Sequence, residues 1–155
     1  MTAEHASIPL YQDSFRALFR IIYMSECNLP SEGSARAMEI EHIFKWSREW
    51  NKAHYITGAL LFSAGHFSQV LEGPERAIRE LLGNIVCDRR HRRFTVLESG
   101  PVSQRLFGNW SMAYVDGNEQ VEFLFMDLLG KPNASQGASI VAMLRHIVTT
   151  EEIRP

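Results

Sequence analysis

Cysteine is scarce. Cys27 and Cys87 stand far apart in 155 residues and form no metal-binding or redox spacing. Two lone thiols without a secretion signal fit a reducing, cytoplasmic setting. Residues 1–20 carry Glu4, His5, Gln12, Asp13 and Arg16, so no signal peptide is visible. No apolar run approaches the roughly 20 residues of a spanning helix, and a membrane is not expected as a partner. Excess charge of one sign is missing as well. The 16 Lys and Arg stand against 18 Asp and Glu, for a net charge of −2. That balance supplies no general positive field for phosphates, so nucleic acid is not expected either. Catalytic motifs are also lacking: there are no paired carboxylates, no metal-spaced His/Cys set, no Gly-rich phosphate loop and no nucleophile elbow. His42, His66 and His91 are scattered along the chain. A turnover enzyme and a metal site are therefore not expected.

What is present is a hydrophobic fraction of 45%, enough for a proper core, in a length that suits one domain with an appendage. Residues 1–16 are polar and weakly patterned, an N-terminal extension read as an irregular arm or short helix. LFRIIYMS, Leu18 to Ser25, is rich in large apolar residues and reads as a first strand. CNLPSEGS then forms a turn-rich connection. From Ser34, a candidate N-cap, to Asn51, the residues Met38, Ile40, Ile43, Phe44 and Trp46 recur at helical spacing.

HYITGALLFSAGHFSQVLEG gives two strands with Ala64-Gly65 at the turn. Pro74 suits the first turn of a second helix, with Ala77, Ile78, Leu81, Leu82 and Ile85 as its buried stripe. DRRHRR breaks that pattern, and FTVLESGPVS and LFGNWSMAYVD read as two more strands. The order is β-α-β-β-α-β-β, an α+β, ferredoxin-like sandwich with a fifth strand added. VEFLFMDLL and SIVAMLRHIV, separated by the loop GKPNASQG, predict two C-terminal helices. Their apolar faces must pack on the sheet or at a subunit interface. The organisation expected is an extension over 1–16, a domain over 17–115 and a helical extension over 116–155.

Most polar candidates have a structural reading beside a functional one. Tyr23 within a strand is either a core ring or a functional phenol. Asn51 near a helix end is either a C-cap or a ligand-facing amide. Gln69 brings two donors and an acceptor into an apolar strand, and leaving them unpaired costs roughly 1–3 kcal/mol. It either bonds a neighbouring backbone group or faces a ligand. Trp110 and Met112, two residues apart on the expected fifth strand, would face one side, by default the core. The cluster Arg89, Arg90, His91, Arg92, Arg93 is either a solvated helix end, an anion site or a weak RNA patch. Glu72-Gly73-Pro74 reads as a strand-to-helix turn. Taken together, two amides and a phenol from helix one, strand three and strand one suit a flat heterocycle with donors and acceptors along one edge. Ile43 and Ile56 could supply its apolar flanks.

Between Leu18 and Tyr114 the chain resembles the BLUF domains, blue-light sensors that use FAD. IIYMS, WNKAHYITGALLF, GHFSQVLEGP, DRRH and FGNWSM carry the resemblance, in that order. It implies non-covalently bound FAD, with FMN or riboflavin as substitutes. Tyr23 would be the electron and proton donor, with Gln69 between that phenol and the N5/O4 edge of the ring. Asn51 would bond the O4/N3 edge, and Ile43, Ile56 and Phe67 would pack around the ring. Arg90 and His91 would lie near the O2 side or the ribityl and phosphate portion. Trp110 and Met112 match a fifth-strand pair that relays the light state. The resemblance implies a switch, not a turnover enzyme. With no catalytic sequence appended, residues 116–155 are expected to signal to a separate partner protein, and the tail helices predict a homo-oligomer. Many members carry a second Asn before the conserved one, where this chain has Trp50, and the loop from Cys27 to Gly33 is longer. The competing reading is a chromophore-free binding module that uses the Arg89–Arg93 cluster.

Overall fold

The computed structural model describes residues 17–29, 33–116, 119–129 and 133–150. The extension expected over 1–16 and the middle of the CNLPSEGS connection lie outside these residues. In chain order the elements are β1 (Leu18–Cys27), α1 (Ser34–Ala53), β2 (Thr57–Ser63), β3 (His66–Pro74), α2 (Glu75–Val86), β4 (His91–Val102), β5 (Ala113–Asp116), α3 (Glu119–Leu129) and α4 (Asn133–Thr150). The expected β-α-β-β-α-β-β order is present, followed by the two C-terminal helices.

The five strands lie in the order β4-β1-β3-β2-β5. β1 pairs antiparallel with β3 and β4, β2 pairs antiparallel with β3, and β5 runs parallel to β2. β2 and β3 form the expected hairpin. Ala64 and Gly65 both take positive φ, 51° and 74°, as a two-residue hairpin turn requires. At Gly58 a Cβ would stand 2.0 Å from the Val70 carbonyl oxygen, so the close approach of β2 to β3 admits no side chain there.

Strand alternation sends side chains to two cores. On one face Ile21, Tyr23, Leu60, Phe67 and Leu71 pack with Ile40 and Phe44 of α1 and Ile78 and Leu81 of α2. On the other, Ile22, Ala59, Leu61 and Val70 pack with Phe125 and Leu128 of α3 and Ile140 and Leu144 of α4. The C-terminal helices thus cover the sheet face that the first two helices leave free. Gly137 lets α4 approach β4: a Cβ there would meet the Glu98 side chain at 3.1 Å.

Several boundaries differ from the sequence expectation. Helix α4 begins at Asn133 and absorbs NASQG, most of the expected loop GKPNASQG. Strand β4 starts at His91 because β1 extends to Cys27, whose pairing partner is His91. Ser34 is the first helical residue of α1 and Gly33, at φ 96°, is its N-cap. Pro74 ends β3 and caps α2 rather than entering its first turn. Glu72 is not in a turn but inside β3. The largest correction concerns strand five. Of the stretch LFGNWSMAYVD, only residues 113–116 pair with β2, so Trp110 and Met112 precede the strand instead of alternating along it.

Candidate functional site

Tyr23 on β1 and Gln69 on the central strand β3 are direct cross-strand partners, and Leu60 of β2 flanks Gln69 on its other side. Period two places all three on the face that carries α1 and α2. The Tyr23 hydroxyl donates to Gln69 Oε1, and Gln69 Nε2 reaches the Met112 Sδ at 3.5 Å. Tyr23, Gln69 and Met112 are all buried. A thioether is a weak acceptor, so the amide nitrogen is poorly served by that contact. Burial pushes the Tyr23 phenol well above its ordinary pKa, and the Asp88 carboxylate adds to the shift.

A cleft of about 440 Å³, counting the part open to solvent, lies over this pair. Of the residues singled out from the sequence, Tyr23, Ile43, Phe67, Gln69, Arg90 and His91 line it. Asn51 and Ile56 do not, and both are fully buried. Ile56 belongs to the core of this face. Asn51 is no C-cap, because α1 continues to Ala53 and His54 caps it. Its side-chain Nδ2 donates to the Ser111 carbonyl at 2.9 Å, while its Oδ1 has no hydrogen-bond partner. A buried amide oxygen left in that state is costly.

Five further residues line the cleft that the sequence does not mark as site residues: Trp46 and Ile85, which read there as apolar helix positions, and Ser47, Leu60 and Asp88. Ser47 was legible in principle, since Ile43, Ser47 and Asn51 follow at i, i+4 and i+8 along one stripe of α1. Phe94 was also missed; its ring stacks on Tyr23 with centroids 4.6 Å apart. No local signal marks it, because irregular β1–β4 pairing between Met24 and Glu26 sets its position. Beyond the cleft a second opening, lined by His42, Trp46, Asn84, Ile85, Asp88 and Arg90, continues between α1 and α2.

The basic cluster is divided. Arg90 is held by Asp88, with Nη2 to Oδ2 at 2.6 Å and Nε also bonded, and it lies 3.7 Å from Glu39. Burial alone would raise the Asp88 carboxyl, but the Arg90 hydrogen bonds and charge outweigh it and hold the pKa below its usual value. Arg92 and Arg93 pair with Glu26 instead. His91 Nε2 bonds the Ile85 carbonyl, tying the start of β4 to α2. Trp50, at the position before Asn51, stacks on His54 with centroids 3.6 Å apart.

Trp110 and Met112 part company. Met112 joins the core on the cleft side, whereas Trp110 packs against the core under α3 and α4. The segment 107–112 therefore passes from one sheet face to the other beside β2, held by a bond from the Gly58 amide to the Trp110 carbonyl at 3.1 Å. Among the described residues no cluster of His, Cys, Asp or Glu could hold a metal, and no helix is long and apolar enough to cross a membrane.

Known proteins resemble this chain in sequence and in fold. Residues 18–113 match the family model described as BLUF, sensors of blue light using FAD. The photoactivated adenylate cyclase subunit alpha of Euglena gracilis is 33% identical over 96 residues, 61% of this chain but 9% of the cyclase subunit. The blue light- and temperature-regulated antirepressor BluF of Escherichia coli K12 is 33% identical over 78 residues, 50% of this chain and 19% of that protein. The chain thus spans a small fraction of the curated relatives it matches. The dark-state structure of BlrB, a BLUF protein, superposes with a TM-score of 0.73 at 29% identity, covering 84% of this chain and 97% of BlrB. The ground state of BlsA gives a TM-score of 0.74 at 23% identity, which speaks for the fold.

Proposed function

The chain belongs to the BLUF family of blue-light sensors that use FAD, and on that footing we propose that Tyr23 and Gln69 form its light-operated switch. The matched segment is a sensor, not a turnover enzyme. One observation carries the reading: the buried chain of contacts from the Tyr23 hydroxyl through the Gln69 amide to Met112, on the floor of a cleft between two helices.

The residues fit a flavin. The orphaned Asn51 Oδ1 can accept from a ring N–H, and the Gln69 amide, spent on a thioether, has a better acceptor in a ring carbonyl or imine nitrogen. Ile43 and Phe67 line the cleft and offer apolar contact to the ring, and Ile56 is buried in the core of the same face. Arg90 and His91 stand at the rim for the O2 side or the ribityl and phosphate chain. When bound, FAD supplies blue-light absorption and an excited state that withdraws an electron from a close donor. Tyr23 is that donor. Its phenol already gives a hydrogen bond to Gln69 Oε1, so loss of the electron and movement of the proton follow one path.

Return of both to Tyr23 leaves Gln69 rotated or tautomerised. An amide's two ends are a donor and an acceptor, so exchanging them rewrites every bond the group makes. Gln69 in its new arrangement releases or re-engages Met112. The change then passes along 107–112 into β5 and the C-terminal helices, a two-state element biased by local bonding. In this reading 17–115 is the sensing unit and 116–155 the output, which a separate partner protein reads; the chain works as a cytoplasmic homo-oligomer.

The test is optical. Purified protein loaded with FAD is expected to be yellow and to show a small red shift under blue light that reverses in the dark. Protein that refuses FAD, or holds it without any light-dependent shift, contradicts the proposal.

A further inference from the structure

The sheet carries a second cross-strand polar pair, three residues from the first and on the opposite face. Arg20 of β1 and Glu72 of β3 are register partners, as Tyr23 and Gln69 are. Glu72 is wholly buried, and its carboxylate accepts from Arg20 Nε at 2.8 Å. It also accepts from the backbone amides of Leu106 at 2.9 Å and Phe107 at 2.8 Å. Arg20 Nη2 in turn donates to the Gln104 carbonyl at 3.1 Å. Arg105, between them, donates to Thr57 Oγ1 at 2.9 Å and to the carbonyls of Glu72 at 3.0 Å and Tyr55 at 2.8 Å. Four successive residues, 104–107, are thereby fastened to the ends of β1, β2 and β3 by charge-assisted bonds, the strong class of hydrogen bond.

Past this anchorage the chain is held more lightly. From Phe107 to Met112 the described bonds are the Trp110 amide to the Phe107 carbonyl, the Gly58 amide to the Trp110 carbonyl, Asn51 Nδ2 to the Ser111 carbonyl, and Gln69 Nε2 to Met112 Sδ. After Met112, β5 is paired to β2. Two of the light bonds come from the side-chain amides of Asn51 and of Gln69, the latter on the cleft floor.

From this we infer that Glu72, with Arg20 and Arg105, is a positioning residue that fixes the far end of the 107–112 segment, so that a displacement begun at Gln69 is driven forward into β5 instead of dissipating backwards. The inference rests on the light-switch reading given above and adds a transmission element to it on the other face of the sheet. A span fixed at one end passes a push to its other end, and a span free at both ends relaxes. Glu72 touches neither the cleft nor Tyr23, so its effect is on transmission and not on the local switch.

Hydrogen exchange with mass analysis, beside absorption spectra, separates the two. Glu72→Gln keeps the shape but cannot hold Arg20 and two amides with a full charge. In the FAD-loaded dark protein, exchange at Leu106 and Phe107 should rise about ten- to hundredfold, the effect of losing a charge-assisted bond. The light-induced red shift should keep its size, while the light-induced exchange difference at residues 113–116 should fall at least about threefold. If Glu72→Gln does not fold, Arg105→Lys removes the forked bonds to the carbonyls while keeping the charge, and the same split is expected. An undiminished light-induced difference at 113–116, with Leu106 and Phe107 loosened, overturns the inference. A red shift that shrinks in step with that difference also overturns it, because the residue would then be serving the switch or the fold in general. Absence of the red shift in the unsubstituted protein sinks the light-switch reading itself, and this inference with it.

Discussion

Tyr23 and Gln69 face each other across β1 and β3, and the phenol gives its hydrogen bond to the amide oxygen at the floor of the cleft. Phe94 stacks on the phenol from the side of β4. Packing and register hold the pair in place. Preorganisation of this kind lets a small local change have a defined direction.

Asn51 should matter for affinity more than for the switch. Its amide bonds the Ser111 carbonyl on one side and has an unpartnered oxygen on the other. Asn51→Ala is expected to weaken FAD binding by roughly tenfold, the worth of about one net hydrogen bond. Titration followed by flavin fluorescence measures this, and unchanged affinity would remove Asn51 from the binding set.

The raised Tyr23 pKa makes a stability prediction with a definite sign. In the unfolded chain a tyrosine ionises near pH 10, whereas the buried phenol keeps its proton to higher pH. Above about pH 10 the unfolded state therefore binds fewer protons than the native state, and stability falls as pH rises. Below that value the contribution is constant. Denaturant midpoints compared between about pH 9 and 11 should fall more steeply for the unsubstituted protein than for Tyr23→Phe. Equal slopes would show that the phenol is not held protonated by the fold.

Gly58 should be intolerant of any side chain. A Cβ would stand 2.0 Å from the Val70 carbonyl oxygen, and backbone cannot yield as a flexible side chain would. Gly58→Ala is expected to cost roughly 3 kcal/mol or more. It should also disturb the Trp110 carbonyl, which the Gly58 amide holds. Thermal unfolding checks the first effect, and a loss within about 0.5 kcal/mol contradicts it.

Much of this was legible in the sequence, for identifiable reasons. Alternation along HFSQVL puts Phe67, Gln69 and Leu71 on one face, and helical spacing puts Ile43 and Asn51 on one stripe of α1. The hairpin at Ala64-Gly65 follows from turn chemistry alone. Other features depend on partners distant in the chain. Glu72 looks like part of a turn because nothing local shows that residues 104–107 will bring it amides. LFGNWSMAYVD alternates well enough to suggest a full strand, yet pairing to β2 begins at Ala113, and the unpaired run lets Trp110 and Met112 face opposite cores. Asp88 hides in a basic stretch, DRRHRR, whose arginines look like one group in the sequence. In the fold, Arg90 turns to Asp88 while Arg92 and Arg93 turn to Glu26.

The most direct measurement is the light-minus-dark absorption spectrum of FAD-loaded Tyr23→Phe and Gln69→Leu beside the unsubstituted protein. The account expects all three to bind FAD, and the red shift to appear in the unsubstituted protein alone. A normal, dark-reversible red shift in either variant would contradict it.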